Sequence, residues 1–248
     1  LAELLPEAFE GIDDPDKLRV TLHDLLSMTT GLEGTSFGNY GAWVASDDWI
    51  EFALERPVVC ERGGGCMTYS TGNSHLASAI LTRATGMSTR VYFREVLFGP
   101  LGITARAWDR GPDGIYLGGN NMSLTPRELR RFGQLYLDGG VWEGRQIVPT
   151  PWVGQSWGQY TTSPWNGHEY GYFWWTREFG GETVRFAWGY GGQFIFVVPR
   201  MELVVVVTSR LWNRPSGIDH NDRIYDFLSD VVIPEMRTWA PPSPARAR

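Results

Sequence analysis

The chain has 248 residues, 42% of them hydrophobic, with 28 acidic and 22 basic side chains and a formal charge of -6. That size supports one large domain or two interleaved ones with a full core. With 12 Trp, 10 Tyr and 12 Phe, it is far from the aromatic-poor, highly charged composition that cannot fold. The mildly negative balance speaks against a general nucleic-acid binder, whose phosphate ligand demands a positive field. No stretch approaches the roughly 20 apolar residues that cross a bilayer. All but one of the 22 basic residues are Arg, so a mechanism that needs a catalytic lysine must use Lys17 or do without.

In chain order, residues 1–9 carry Glu3 and Glu7 without a basic start, which is not the pattern of a signal peptide. They also lack an initiator Met and open in mid-helix, which does not look like a natural beginning. Thr21, with Asp24 three residues on, predicts a capped helix over 22–28 with Leu22, Leu25 and Leu26 on one face. Ser46, Asp47 and Asp48 open a second helix carrying Trp49, Ile50, Phe52 and Ala53, ending before Pro57. Cys60 and Cys66 then bracket Gly63, Gly64 and Gly65. The glycines would let a small disulfide ring close, and two free thiols are the alternative. A disulfide would indicate an oxidising compartment.

Asn73 or Ser74 opens a third helix through Leu76, Ile80 and Leu81, ended by Gly86. Residues 89–98 make a fourth, halted by Gly99-Pro100. The clearest start signal is Thr125-Pro126-Arg127-Glu128, an N-cap, an N1 proline and a capping-box Glu, followed by Leu129, Phe132, Leu135 and Tyr136. After Trp165 the period changes to strands over 170–176, 183–187, 193–198 and 203–209, and a closing helix is expected over 219–236. This predicts an α+β fold: a mostly helical region over 1–165, antiparallel strands with the closing helix over 166–240, and a disordered tail over 241–248. The histidines His23, His75, His168 and His220 show no metal-ligand spacing, and no metal or cofactor is expected.

Five segments, in order, carry a resemblance. Val20-Thr21-Leu22-His23-Asp24-Leu25-Leu26-Ser27-Met28-Thr29-Thr30-Gly31-Leu32 resembles an I-T-(I/L)-x-x-L-L-x-H-T-S-G-L phrase, and Tyr69-Ser70-Thr71-Gly72-Asn73 falls where a Tyr-x-Asn box stands. Phe98-Gly99-Pro100-Leu101-Gly102-Ile103 resembles a P-L-G-(M/I) turn. Gly118-Gly119-Asn120-Asn121-Met122-Ser123, with Leu129-Arg130-Arg131-Phe132-Gly133, resembles a G-G-x-x-S-T-x-x-D-(L/M)-x-R-F stretch. Ala187-Trp188-Gly189-Tyr190-Gly191-Gly192-Gln193 lies where Lys-Thr-Gly or His-x-Gly sits on a strand. Together they resemble the serine β-lactamase and penicillin-binding-protein superfamily, in its class C and esterase-like branch. The phrases over 69–75 and 131–148 are most similar to serine hydrolases related to 6-aminohexanoate-oligomer hydrolases and small-ester carboxylesterases.

The resemblance implies a β-lactamase/transpeptidase-like fold, in which an antiparallel sheet is packed by helices. It also implies a serine hydrolase acting through an acyl-enzyme on a small ester or amide. Tyr69 is the implied proton relay, and Thr71, Trp188, Gly189 and Tyr190 are the implied substrate contacts, with the Tyr190 N–H as an oxyanion donor. The family's nucleophile lies in a Ser-x-x-Lys helix, which this chain lacks because Asp14 stands three residues before Lys17. The chain is therefore expected to be inert alone. The Ser-x-x-Lys helix and first strands are expected upstream, where Leu4-Leu5-Pro6-Glu7 resembles a phrase that follows them, and the location is expected to be periplasmic or secreted. A non-catalytic acyl- or peptide-binding module is the competing expectation, and Ser70 as a conventional nucleophile is the weakest.

Overall fold

A computed structural model describes residues 1–63, 65–210 and 220–239. Short helices α1 (Pro15–Leu18), α2 (Leu22–Ser27), α3 (Tyr40–Ala45) and α4 (Trp49–Glu55) lead to α5 (Thr71–Thr85). Helix α2 has the expected capping box, with Thr21 Oγ1 accepting the Asp24 N–H and the Asp24 carboxylate accepting the Thr21 N–H. Helix α5 begins two to three residues before the expected Asn73 or Ser74. Its first free N–H groups are met from a distant loop: Thr71 N–H donates to Ser36 Oγ at 2.8 Å and Gly72 N–H to Thr35 Oγ1 at 2.7 Å. A reading of local caps does not see partners 35 and 37 residues away.

Helix α6 (Thr89–Phe93) runs through a π turn, Arg94–Phe98, into α7 (Gly99–Leu101), so Pro100 does not halt it. The helix ends instead at Gly102, in the left-handed region at φ 62. A π turn widens the ladder just ahead of the residue that cannot donate. The same device recurs near the C-terminus, where α10 (His220–Phe227) passes through Leu228–Val232 into α11 (Ile233–Thr238), which contains Pro234. The expected tail, 241–248, and Asp219 lie outside the described residues.

Between these stretches lie α8 (Pro126–Leu137), capped by Thr125 and Glu128 as expected, the hairpin β1 (Val141–Trp142) and β2 (Arg145–Gln146), and α9 (Thr150–Ser156). A six-stranded antiparallel sheet follows in chain order: β3 (Thr161–Thr162), β4 (Glu169–Tyr170), β5 (Trp175–Phe179), β6 (Glu182–Gly189), β7 (Gln193–Val198) and β8 (Leu203–Val207). The single strand expected over 170–176 is two. Between them Tyr172 N–H donates to Ser156 O and Phe173 N–H to Leu26 O, so this backbone bonds to helical segments rather than to a neighbouring strand.

The fold is α+β, with helices on both sheet faces. Trp175, Phe186, Phe194 and Phe196 pack on one face against Ile224, Tyr225, Leu228 and Ile233 of the C-terminal helices. Ile195 and Val197 pack on the other against Leu129, Phe132 and Tyr136 of α8. Gly133 permits that second contact, because a Cβ there would lie 2.7 Å from both Ile195 Cγ2 and Val204 Cγ1. A Gly133→Ala variant gains at most ~1 kcal/mol of helix propensity but overpacks the interface at a cost of about 1–3 kcal/mol. It should unfold at lower urea than the parent; an equal or higher midpoint would show that the sheet yields.

Candidate active site

Tyr69 is delivered by a pinned loop. Cys60 and Cys66 are joined in a disulfide, with Cα atoms 6.4 Å apart. The surrounding backbone is laid against the end of α2: Val59 N–H donates to Gly31 O, Gly63 N–H to Thr29 O and Thr68 N–H to Met28 O, at 2.8–2.9 Å. The chain therefore enters α5 in a set direction, with Tyr69 just ahead of it. The half-buried Tyr69 ring stacks on Trp175 at 5.6 Å and meets Tyr170 edge-on at 6.1 Å. Burial pushes its phenol up to about 12, which keeps it neutral at physiological pH.

Trp188 tilts over the same Trp175 at 5.7 Å and stacks on its cross-strand partner Phe194. Trp175 thus joins the relay candidate on the helical side to the strand that carries the candidate substrate contacts. Gly189 pairs with Gln193 to close the β6–β7 hairpin, and Tyr190 stands at its tip, 81% exposed. Thr71 lies two residues beyond Tyr69, and its Oγ1 is 2.9 Å from Ser36 Oγ. Part of that hydroxyl's capacity is used within the fold; one donor and two lone pairs leave room for a further bond.

Strand alternation separates Ala187 from Trp188. Ala187 packs toward the α8 face with Ile195 and Val197, whereas Trp188 packs toward the Trp175 face. The face of β6 that meets Tyr69's neighbour Trp175 is therefore aromatic, and Ala187 lies on the opposite face. The other tryptophans divide likewise. Trp157 and Trp174 cluster with Tyr136 on the α8 face, and Trp175 is core on the Tyr69 face. Trp165 is an exposed rim residue.

Sequence reasoning missed the loop between α2 and α3. Thr35 and Ser36 cap α5, and the exposed Phe37 brings its ring to 6.2 Å from Tyr69. A hydroxyl pair and an aromatic bracketed by Gly34 and Gly38 was the available signal, but no periodicity marks it.

Several reactive groups are already occupied. Ser70 is buried, and its Oγ accepts the Thr35 N–H at 3.1 Å, which fits a structural tie rather than a free nucleophile. Lys17 Nζ donates to Leu54 O in the last turn of α4, where a cation complements the helix dipole, and Asp14 caps α1 through the Asp16 N–H. His75 Nε2 meets Asp113 Oδ2 at 2.8 Å in a buried pair lined edge-on by Trp43 and Trp49. Among the described residues, no three His, Cys, Asp or Glu side chains converge as a metal site would require. No helix among them is long and apolar enough to cross a membrane.

A family profile described as Beta-lactamase matches residues 1–229. No curated protein matches the chain. Among solved structures, a Bacillus anthracis protein described as a 6-aminohexanoate-dimer hydrolase superposes with a TM-score of 0.73 at 20% identity, covering 93% of this chain and 64% of its own. The octameric penicillin-binding protein homologue from Pyrococcus abyssi gives 0.68 at 19%, covering 93% and 63%. A Bacteroides dorei protein described as a beta-lactamase gives 0.64 at 20%, covering 96% and 75%. These likenesses are of fold, and the chain spans less than two thirds of the length of the first two.

Proposed function

Because the chain belongs to the Beta-lactamase family, we propose that it carries the relay-tyrosine side of a serine hydrolase cleft that cleaves an ester or amide through an acyl-enzyme. The observation that carries this reading is Tyr69 itself, held at the entrance of α5 by a closed loop and sharing Trp175 with Trp188 of β6. In the reaction, a serine hydroxyl attacks the carbonyl, its proton passes to the Lys–Tyr69 pair and on to the leaving group, and water then releases the acyl group by the same route. The Tyr190 N–H and the serine's own N–H hold the oxyanion. On this reading the Ser-x-x-Lys helix and the strands that accompany it would be supplied by polypeptide other than these 248 residues.

Within the family, the 6-aminohexanoate-oligomer hydrolase and esterase branch suits the site best. The rings that touch Tyr69, those of Phe37, Tyr170 and Trp175, bring no charge for a β-lactam carboxylate, and a neutral ester or amide needs none. The Cys60–Cys66 disulfide supports a periplasmic or secreted location.

A second reading, a binding module without catalysis, is favoured by the same tyrosine, because a phenol near 12 is no base at neutral pH. Fluorophosphonate labelling of this chain, and of the polypeptide encoded with its upstream region, separates the two. The expected result is no adduct on the chain alone and one adduct on the longer product, at a Ser-x-x-Lys serine. Absence of an adduct on both would leave the binding module; an adduct on Ser70 would overturn both readings.

A further inference from the structure

Two large aromatic rings stand in solvent at the cleft without belonging to either sheet-face core. Phe37, 67% exposed, comes from the loop between α2 and α3; Trp165, 59% exposed, comes from the turn between β3 and β4. They are 128 positions apart in the chain, yet their ring centroids lie 5.8 Å apart in an edge-to-face contact. Phe37 also reaches Tyr69, tilted, at 6.2 Å. The rings run from the helical side to the sheet side as Tyr69, Phe37, Trp165. Exposed apolar surface of this size has a hydration cost, and its contiguity with a cleft marks a contact surface.

The loop that carries Phe37 is anchored. Thr35 N–H donates to Ser70 Oγ, Thr35 Oγ1 accepts the Gly72 N–H, and Ser36 Oγ accepts the Thr71 N–H while meeting Thr71 Oγ1. Phe37 therefore follows two residues fixed to the start of α5, and its ring projects from a held backbone. Beside Phe37 in the chain, the half-buried hydroxyls of Ser36 and Thr71 meet at 2.9 Å, and no ring in the row carries a charge.

From this we infer that the Phe37–Trp165 lip is the subsite for an uncharged hydrocarbon portion of the substrate, an alkyl chain or aryl ring attached to the scissile carbonyl, and that it sets the enzyme's preference for neutral, extended acyl groups. The inference rests on the reading of the Tyr69 cleft as the acyl-transfer site. The carbonyl end lies toward Tyr69 and the hydroxyl pair, and the hydrocarbon lies across the two rings. Each methylene laid there leaves water for an aromatic surface, and the subsite discriminates by chain length rather than by charge.

The test is an NMR titration of the chain with N-methylacetamide, N-methylbutanamide and N-methylhexanamide, and with a six-carbon amide ending in a carboxylate. Affinity should rise about two- to fourfold per added methylene, the Trp165 indole signal should move, and the terminal carboxylate should abolish the gain. Phe37→Ala and Trp165→Ala should each flatten the gradient, whereas Phe37→Tyr and Trp165→Phe should keep it. Both positions are exposed, so the fold should survive all four changes. Amides that bind with no length gradient, or with one that both alanine variants retain, would overturn the lip while leaving the cleft reading intact. Failure of every amide to bind the parent would sink the cleft reading and the lip with it.

Discussion

On the proposed relay role, replacing Tyr69 by Phe in a polypeptide that joins this chain to a Ser-x-x-Lys serine should lower the acylation rate by about 10²–10⁴-fold, the usual loss when a positioned proton carrier is removed. The melting temperature should barely change. The ring contacts to Phe37, Tyr170 and Trp175 are apolar and survive in Phe; only a hydroxyl in a mostly apolar setting is deleted. That split between activity and stability separates a relay from a packing residue, whose loss would affect both. The phenol's own titration supplies a second readout. In this chain, burial alone moves it to about 12 from an ordinary value of 10. Burial also raises Tyr172 to about 12 and raises Tyr136 and Tyr170, so the readout is the difference: tyrosinate absorbance of the chain should lose one phenol's step near 12 in the Phe variant. The unfolded chain gives up that proton first, so the associated stability is present below pH 10 and lost as pH rises to about 12. A lysine ammonium placed beside the phenol, as a Ser-x-x-Lys helix would place it, should draw its ionisation downward. A rate loss of less than tenfold in Tyr69→Phe would place the relay elsewhere.

What the sequence revealed and what it hid divide along the range of the interactions. The boxes that begin α2 and α8 are closed within four residues, by Thr21 with Asp24 and Thr125 with Glu128, so both helix starts could be read directly. Strand β7 was equally plain, its run of apolar residues bounded by glycines and a proline. By contrast, α5 owes its first turn to Thr35 and Ser36, and the break between β4 and β5 exists because residues 172 and 173 bond to Ser156 and Leu26. Neither partner is identifiable before the chain is folded. Pro100 misled for a related reason: it sits inside a continuing helix because the π turn ahead of it accommodates the missing donor, an adjustment with no local sequence mark, whereas the closing helix was expected to run through Pro234 and does.

The candidate site was legible in part because its positions fall in motif phrases, and illegible where geometry decides the face. Tyr69 and Trp188 come to a common neighbour, Trp175, while Ala187 turns to the opposite side of the sheet. The sole lysine is likewise clarified by position. Its ammonium serves the Leu54 carbonyl at the end of α4, so it is already committed to helix termination, and the charge that Tyr69 would need must come from elsewhere. Phe37 was hidden altogether, because an aromatic in a loop has no periodicity to betray it and acquires meaning only when Trp165 is folded against it.

The largest stability effect is expected at His168, which sits among the rings of Trp175, Phe186 and Tyr225 on the same sheet face, with centroids 5.8–6.1 Å away. Its side chain is buried, and Nε2 has no hydrogen-bond partner among the described residues. Burial first, and then the charge of Arg177, depress its ionisation to about 4 from an ordinary 6.5. Above pH 6.5 the imidazole is neutral in both the folded and unfolded chain, and the full stability is present. As pH falls from 6.5 toward 4, the unfolded chain takes up a proton that the folded one refuses, and stability drains away by on the order of 3 kcal/mol before the loss saturates. Carboxylates contribute lower down: Glu182, held below its ordinary range by the Arg237 hydrogen bond, loses its contribution only as pH falls below about 4.5. A His168→Met variant fills a similar space with an adaptable apolar chain that does not titrate. Its unfolding free energy should stay nearly level between pH 6.5 and 4.5, where the parent's falls steeply. The slope is the readout, because repacking can move the absolute value in either direction, and equal acid slopes for parent and variant would show that His168 is already protonated, or solvated, within the fold.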